Sequence, residues 1–227
     1  MRIFARILSQ HREIGGELGY FGLGSWWLST FSSAERKYME ALFEGGDMPA
    51  GARPLTRDRG LLSIQTAAGL LVLLADKLSN QTEDRSLACR VLAEAEERAQ
   101  AANDLLGLHF TYHQMIRIHL RSKENCRDAP DRAFAACHKQ MRISSEVAKV
   151  FSERFPDKPL PVHLGYLHAA NILEQQGGRP RAIEICRQAQ AEGWSGDWSW
   201  RIQRMARGLS EQPPEVKFIS RSGLSPI

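Results

Sequence analysis

Residues 163–194 read HLGYLHAANILEQQGGRPRAIEICRQAQAEGW. Two runs with helical periodicity lie on either side of the pair Gly177-Gly178, which is typical of a turn. The second run places Ala182 and Ala189 where two helices can cross closely, with Cys186 filling the space between them. The stretch therefore predicts two helices, at about 161–176 and 179–192, paired across a glycine turn.

The same stretch resembles a tetratricopeptide repeat. It has an early aromatic residue, Tyr166, and a small residue, Ala170, four positions later. The glycine turn and then Ala182, Cys186 and Ala189 follow in the order that the family shows. The resemblance implies antiparallel helix pairs that stack on one another, because a single pair cannot bury its apolar face alone.

Helical periodicity extends outward from this repeat, and no run alternates as a strand would. Weaker repeat features are Ala88, Leu92 and Ala95, which resemble a second helix, and Leu106-Gly107 with Phe110, which resemble a first. The fold class predicted is all-α, an antiparallel helix-pair (TPR-like) solenoid with an aromatic-rich N-terminal cap. Further helices are expected from about Ser33 and at about 59–78, 83–101, 105–122, 131–155 and 197–207.

Breaks in composition divide the chain into segments. Residues 1–45 form the aromatic-rich cap, in which Ser32 and Glu35 make a capping-box pattern that begins a helix near Ser33. Residues 46–57, GDMPAGARPLTR, read as a loop because glycine and proline interrupt them. The repeat domain is expected over 58–209. The tail, 210–227, has no helical period and is expected to be mobile.

The resemblance implies protein or peptide binding on a concave groove lined by the first helix of each pair. An amide such as Asn171 suits a groove because it can both donate to and accept from a peptide backbone. The alternative for each lining residue is an ordinary solvated or partly buried helix position. The lining residues by position are Leu164, Leu167, His168, Asn171, Glu174 and Gln175, with Asp104, Leu105, Leu108, Thr111 and Tyr112 in the middle repeat.

The end of the repeat domain offers a second interpretation, binding of RNA or single-stranded DNA. Tryptophans interleave with arginines there, and aromatic rings can stack on bases while arginines contact phosphates. A polar-backed terminal helix that caps the solenoid explains the same pattern and is the prediction preferred. The residues of this alternative nucleic-acid face are Trp194, Trp198, Trp200, Arg201, Arg204 and Arg207.

Catalytic and metal sites find little support in the sequence. His109 and His113 are four residues apart and could share a zinc ion, but the glutamate of a metalloprotease motif is absent. Core or groove histidines are the preferred interpretation. The glycines of GELGYFGLG (16–24) lack both the preceding strand and the lysine of a phosphate loop. The expectation is a non-catalytic protein with no cofactor and no metal.

Composition limits the class of protein. The chain has 227 residues, 25% of them charged, and a formal net charge of +4, which permits contact with nucleic acid without indicating it. The 4 cysteines match no metal or redox spacing, so a reducing compartment, the cytoplasm, is expected. The longest apolar stretch, 61–75, is too short to span a bilayer. Residues 1–12 have an apolar face with arginines, so a short membrane-contacting or targeting helix is an alternative to a docked first helix.

Overall fold

A computed structural model describes residues 14–44, 48–79, 84–121 and 126–208. Within these ranges the chain forms eleven α-helices and no β-strand, as the all-α prediction requires. The first three helices are α1 (Gly16–Tyr20), α2 (Gly24–Thr30) and α3 (Ser33–Ala41). They are followed by α4 (Ala67–Leu78), α5 (Arg85–Ala101), α6 (Leu105–Arg121), α7 (Ala129–Arg142), α8 (Ser144–Arg154), α9 (Leu164–Gln175), α10 (Arg179–Ala191) and α11 (Trp198–Ala206).

Helices α4 to α11 pack in chain order, with α8 as an insertion. Helix α4 packs on α5, α5 on α6, α6 on α7, α7 on α9, α9 on α10, and α10 on α11. Alternate helices also touch, since α4 packs on α6 and α6 on α9, while hydrogen bonds link α9 to α11. We call α4, α6, α9 and α11 the first helices, and α5, α7 and α10 the second helices.

The second helices share one pattern of buried residues. Each has a fully buried alanine, then a second buried apolar residue three positions later, a third directly after it, and a fourth buried residue three positions further on. The small residues let each helix approach its neighbours closely. The recurring sets are Ala88, Val91, Leu92 and Ala95 in α5, then Ala133, Ala136, Cys137 and Gln140 in α7, and Ala182, Ile185, Cys186 and Ala189 in α10.

The aromatic N-terminal segment packs against α4 and α5. Trp27 and Phe31 are buried in one core with leucines of α4. The capping box of Ser32 and Glu35 is present, which confirms the predicted start of α3. The loop after α3 returns to α1, where the amide of Leu18 donates to the carbonyl of Leu55 at 2.9 Å. Segment and paired helices thus share a core.

Two predicted helices have different bounds in the structure. The helix expected at 59–78 begins at Ala67, because the Thr66 hydroxyl accepts from the Gly69 amide and caps it there. The helix expected at 131–155 is two helices, α7 and α8, separated by Ile143. The Ser144 hydroxyl bonds to the carbonyl of Met141 and to the tertiary partner Tyr166 at this break.

Some expectations concern residues that the structure does not describe. The suggested membrane-contacting or targeting helix at 1–12 and the tail at 210–227 lie outside the described residues. Among the helices that are described, none combines the length and the apolar character needed to cross a membrane.

Candidate peptide-binding face

The two sides of α6 differ in their surroundings. On one side Tyr112 lies between α5 and α7: its hydroxyl donates to Glu96 of α5 at 3.0 Å, and the Lys139 ammonium of α7 lies over its ring. Phe110 is two residues away, which places it about 160° around the helix axis from Tyr112. We call the side of the first helices that points away from the second helices the inner face.

A polar contact joins α4 to α6 on the inner face. The Asp76 carboxylate of α4 accepts hydrogen bonds from Gln114 at 2.7 Å and from Arg117 at 2.9 Å. Arg117 also donates to the side-chain carbonyl of Gln114 at 2.8 Å. The side chains of Arg117 and Asp76 are 35% and 49% exposed, so the pair lies within reach of solvent.

Two arginines of α11 make the corresponding contacts to α9. The Arg201 guanidinium donates to the Asn171 side-chain oxygen at 2.7 Å and to the Asp197 carboxylate at 2.6 Å. Arg204 forms an ion pair with Glu174. Both arginines are buried, and their contacts hold α11 against α9. Asn171 and Glu174 are therefore engaged within the protein.

The groove residues expected on α9 occupy different depths. Leu164 and Leu167 are buried in the core that α9 shares with α10, whereas His168 is half-buried. Gln175 is exposed at the end of the helix. Counted around the axis, His168 and Gln175 lie far from Ala169, which faces the second helices. These two residues therefore lie on the inner face.

The groove residues expected on α6 require a correction. Leu108 and Tyr112 are buried beside Ala99 of α5, on the side opposite to the inner face, and Thr111 is fully buried. Asp104 is an N-cap, because its carboxylate accepts from the Gly107 amide at 2.8 Å. The assignment of these positions to the groove was wrong because α6 packs against several helices, so its apolar residues do not form one stripe. Leu105, the remaining expected residue, is partly buried in the core around α9.

The sequence missed the residues that α6 presents on its inner face. Phe110 is one of the few large apolar side chains that are exposed among the described residues, at 43%. Arg117 lies seven residues later, on the same side of the helix. The missing signal was the direction of the second helices, since periodicity alone does not say which of several apolar faces is buried deepest.

The alternative nucleic-acid residues are mostly inside the protein. Trp194 and Trp198 are 2% and 3% exposed, and Arg201 and Arg204 make the contacts to α9 described above. Trp200 is half-buried beneath the guanidinium of Arg204, and Arg207 is exposed. The expected interleaved surface of tryptophans and arginines is therefore not present as a surface.

A buried aromatic cluster joins α6 to the loops around α9 and α10. His109 stacks on Trp194 with a ring-centroid distance of 5.6 Å, and His163 lies 5.3 Å from His109. Phe151 of α8 covers His109 at 5.7 Å. Burial holds the pKa of His109 well below its ordinary value and lowers that of His163 to about 3. Both histidines are therefore neutral core residues at physiological pH.

Two further histidines lie along the junction of α6 and α9. Burial, reinforced by Arg117 and His168, lowers the pKa of His113 to about 4. Burial and the nearby Arg201 lower the pKa of His168 to about 4 as well. Within the described residues no group of three or more His, Cys, Asp or Glu side chains is arranged to hold a metal ion.

Comparison of the chain with protein families, curated proteins and solved structures finds no match in any of the three.

Proposed function

We propose that this chain is a non-catalytic protein- or peptide-binding adaptor or regulator, and that its binding surface is the inner face of a TPR-like solenoid. The observation that carries the proposal is the packing of α4 on α6 and of α6 on α9. This order places the inner faces of successive first helices side by side. A partner segment could therefore contact several helices at once.

The recurring burial pattern of α5, α7 and α10 supports the division into repeats. Ala88, Ala133 and Ala182 begin the pattern in the three helices, and each is fully buried. The resemblance to the repeat family is fullest in α10 and weaker in α5. In α7, Gln140 stands where the other two helices have alanine. Three helix pairs followed by α11 as a terminal helix are consistent with a short solenoid.

The chemistry of the inner face suits an extended peptide. Gln175 and the half-buried His168 offer neutral groups that can pair with backbone amides and carbonyls. Phe110 and Arg117 add an apolar and a cationic contact. The four cysteines are free thiols, so the cytoplasm remains the compartment that we propose for this binding.

The test is affinity capture of partners with a steric block on the inner face. Gln175→Trp adds bulk at an exposed position of that face, and Gln188→Trp adds the same bulk on the second helix α10, where Gln188 is exposed. We expect a near-stoichiometric protein partner to be retained by wild type and by Gln188→Trp and to be lost from Gln175→Trp. Equal retention by both variants would contradict binding at this face.

Nuclease treatment of the same captures separates the alternative function. Protein partners held through the inner face resist nuclease. Material that leaves on nuclease treatment, with no protein partner remaining, would indicate RNA or single-stranded DNA binding instead, through accessible groups such as Trp200 and Arg207.

A further inference from the structure

We propose that the inner face of α6 binds an extended partner segment that carries an apolar side chain and, three residues from it, a carboxylate. The inference rests on the proposed function, since it names the class of segment that the inner face recognises. It is drawn from Phe110 at one end of this face of α6 and from Arg117, with its carboxylate partner Asp76, near the other.

The apolar contact is provided by Phe110. The residue is 43% exposed, and its ring centroid lies 6.1 Å from that of Phe151, which in turn lies 6.2 Å from that of Phe155. Helix α8 thus supports Phe110 on one side and leaves part of the ring in solvent. An apolar partner side chain placed on this ring would remove apolar surface of Phe110 and of the partner from water, which favours binding.

The polar contact is provided by Arg117, which already binds the carboxylate of Asp76 within the protein. Asp76 accepts from Gln114 and Arg117, so these two side chains are arranged as donors to a carboxylate. Helix α6 itself contains no acidic residue, and Arg121 follows one turn after Arg117. Because Arg117 is partly exposed, a carboxylate of the partner can share it with Asp76 or displace Asp76 from it.

The spacing of the two contacts sets the spacing in the partner. Phe110 and Arg117 are seven residues apart, which corresponds to about 10.5 Å along an α-helix at 1.5 Å per residue. A partner chain in the extended polyproline II conformation advances by about 3.1 Å per residue with three residues per turn, so residues i and i+3 lie on the same side of the chain, about 9.3 Å apart. The segment recognised therefore has an apolar residue and an aspartate or glutamate at positions i and i+3, in either chain direction.

The experiment is selection of dodecapeptides from a random displayed library on the full-length protein. We expect the enriched peptides to share an apolar residue and an acidic residue three positions apart. Synthetic copies of these peptides, measured by fluorescence anisotropy, should bind about tenfold more weakly to Phe110→Ser and to Arg117→Gln. Their affinity should also fall with added salt, since one contact is between charges.

Asp76→Asn gives the discriminating result, because its effect has the opposite sign. Asp76→Asn removes the negative charge that competes for the partly exposed Arg117, while its amide oxygen can still accept from the buried Gln114, so the selected peptides should bind several-fold more tightly. The matched control is Arg181→Gln, which removes an exposed, ion-paired arginine from α10 and should leave affinity unchanged. The far-UV circular dichroism of each variant shows whether it is folded.

Other results would overturn the inference. If the enriched peptides bind equally to wild type, Phe110→Ser and Arg117→Gln but are blocked by Gln175→Trp, the inner face binds peptides without this recognition. If Asp76→Asn weakens binding, Asp76 contacts the partner rather than competing with it, and the inference is wrong. If no peptide is enriched, or if Gln175→Trp also leaves binding intact, the inference fails together with peptide binding at this face.

Discussion

The two largest cores among the described residues are filled in different ways. Of the described residues, the core shared by the N-terminal segment, α4 and α5 has seventeen buried members, of which eight are leucines. The core around α9 and α10 also has seventeen, but only two are leucines and six are alanines. We call them the leucine core and the alanine core. Leucines fill most of the first, whereas in the second alanines allow close helix crossings and a few large rings, Tyr166, Trp194 and Trp198, fill the remaining space.

Buried polar groups differ in kind between the two cores, since the buried carboxylates of Glu17 and Glu40 lie on α1 and α3 beside the leucine core. Next to the alanine core, the buried Gln140 of α7 donates to the His109 carbonyl at 3.1 Å and accepts from the Gly165 amide at 2.7 Å. His109 and His163 lie beside it as neutral rings. Closely packed helices thus bring with them backbone and imidazole groups that need partners. The leucine core should respond most to lost volume, and the alanine core most to changes of protonation and hydrogen bonding.

Acid should have the largest effect, and most of it should act beside the alanine core. The pKa values of His109, His113, His163 and His168 are lowered by burial in the folded chain. When the pKa of a histidine is lower in the folded chain than its unfolded value of about 6.5, the folded chain has its full stability above about pH 6.5. That stability is lost as the pH falls from about 6.5 toward the folded pKa, because the unfolded chain binds the proton more tightly. Between pH 7.5 and 5.5 we expect the free energy of unfolding, from urea titrations, to fall by about 3 to 5 kcal/mol.

A double variant locates this acid effect. Burial also lowers the pKa of His119, at the end of α6, to about 4. His113→Gln with His168→Gln therefore removes two of five such groups, so about two fifths of the pH dependence should disappear. His138→Gln, the same substitution at an exposed position of α7, is the matched control for the loss of a histidine. A free energy of unfolding that is the same at pH 7.5 and pH 5.5 would contradict this account of the alanine core.

Truncating the side chain at one shared position of the recurring pattern should lower the free energy of unfolding by different amounts in the two cores. Leu92 of α5 and Cys186 of α10 hold the same place in the recurring pattern, and both are buried. Leu92→Ala removes three carbon atoms and should cost about 3 kcal/mol, whereas Cys186→Ala removes one sulfur atom and should cost about 1 kcal/mol. Denaturant titrations at neutral pH measure both. Equal losses would show that the cores do not differ in this way.

Gln140 tests the hydrogen bonding of the alanine core. Gln140→Ala gives α7 the residue that α5 and α10 have at this position, but it leaves the Gly165 amide without its side-chain acceptor. We expect a loss of about 2 kcal/mol in the free energy of unfolding. Gln188→Ala, at an exposed position of α10, should change it by less than about 0.5 kcal/mol. A Gln140→Ala variant as stable as wild type would show that the hydrogen bonds of Gln140 do not stabilise the fold.

The smallest effect is expected at a helix end in the N-terminal segment. Ser32→Ala removes the side chain that accepts from the Glu35 amide and should cost about 1 kcal/mol. Ser33→Ala, one residue later and exposed, is the control and should cost less. The readout is the urea midpoint at pH 7.5. If the two variants have the same midpoint, the capping box does not stabilise the segment beside the leucine core.

Local features of the fold were predictable because their causes are local. The capping box at Ser32 and the start of α3 are confirmed, and so is the start of α10 after the glycine turn. The start of α6 is equally local, since the Asp104 carboxylate accepts from the Gly107 amide and caps the helix. Asp197 precedes α11 in the same way, but its carboxylate accepts from the Arg201 side chain and makes no capping bond.

The candidate site was predicted only in part. His168 and Gln175 lie on the inner face, whereas Leu108 and Tyr112 face the second helices. Nothing local in the sequence of α6 distinguishes these two faces, because both carry apolar residues. Phe110 could be assigned to the inner face only after the positions of α5 and α7 were known.

The sequence by itself determined that the described part of the chain is helical, where several of its helices begin, and that Ala182, Cys186 and Ala189 are buried between the two helices of the 163–194 stretch. These outcomes follow from helix periodicity, capping groups and small residues, all of which act within a few positions. The tertiary structure decided the break at Ile143, the burial of Arg201 and Arg204 against α9, and the side of α6 that remains open. Each of these depends on partners distant in the chain, whose positions exist only once the helices have packed.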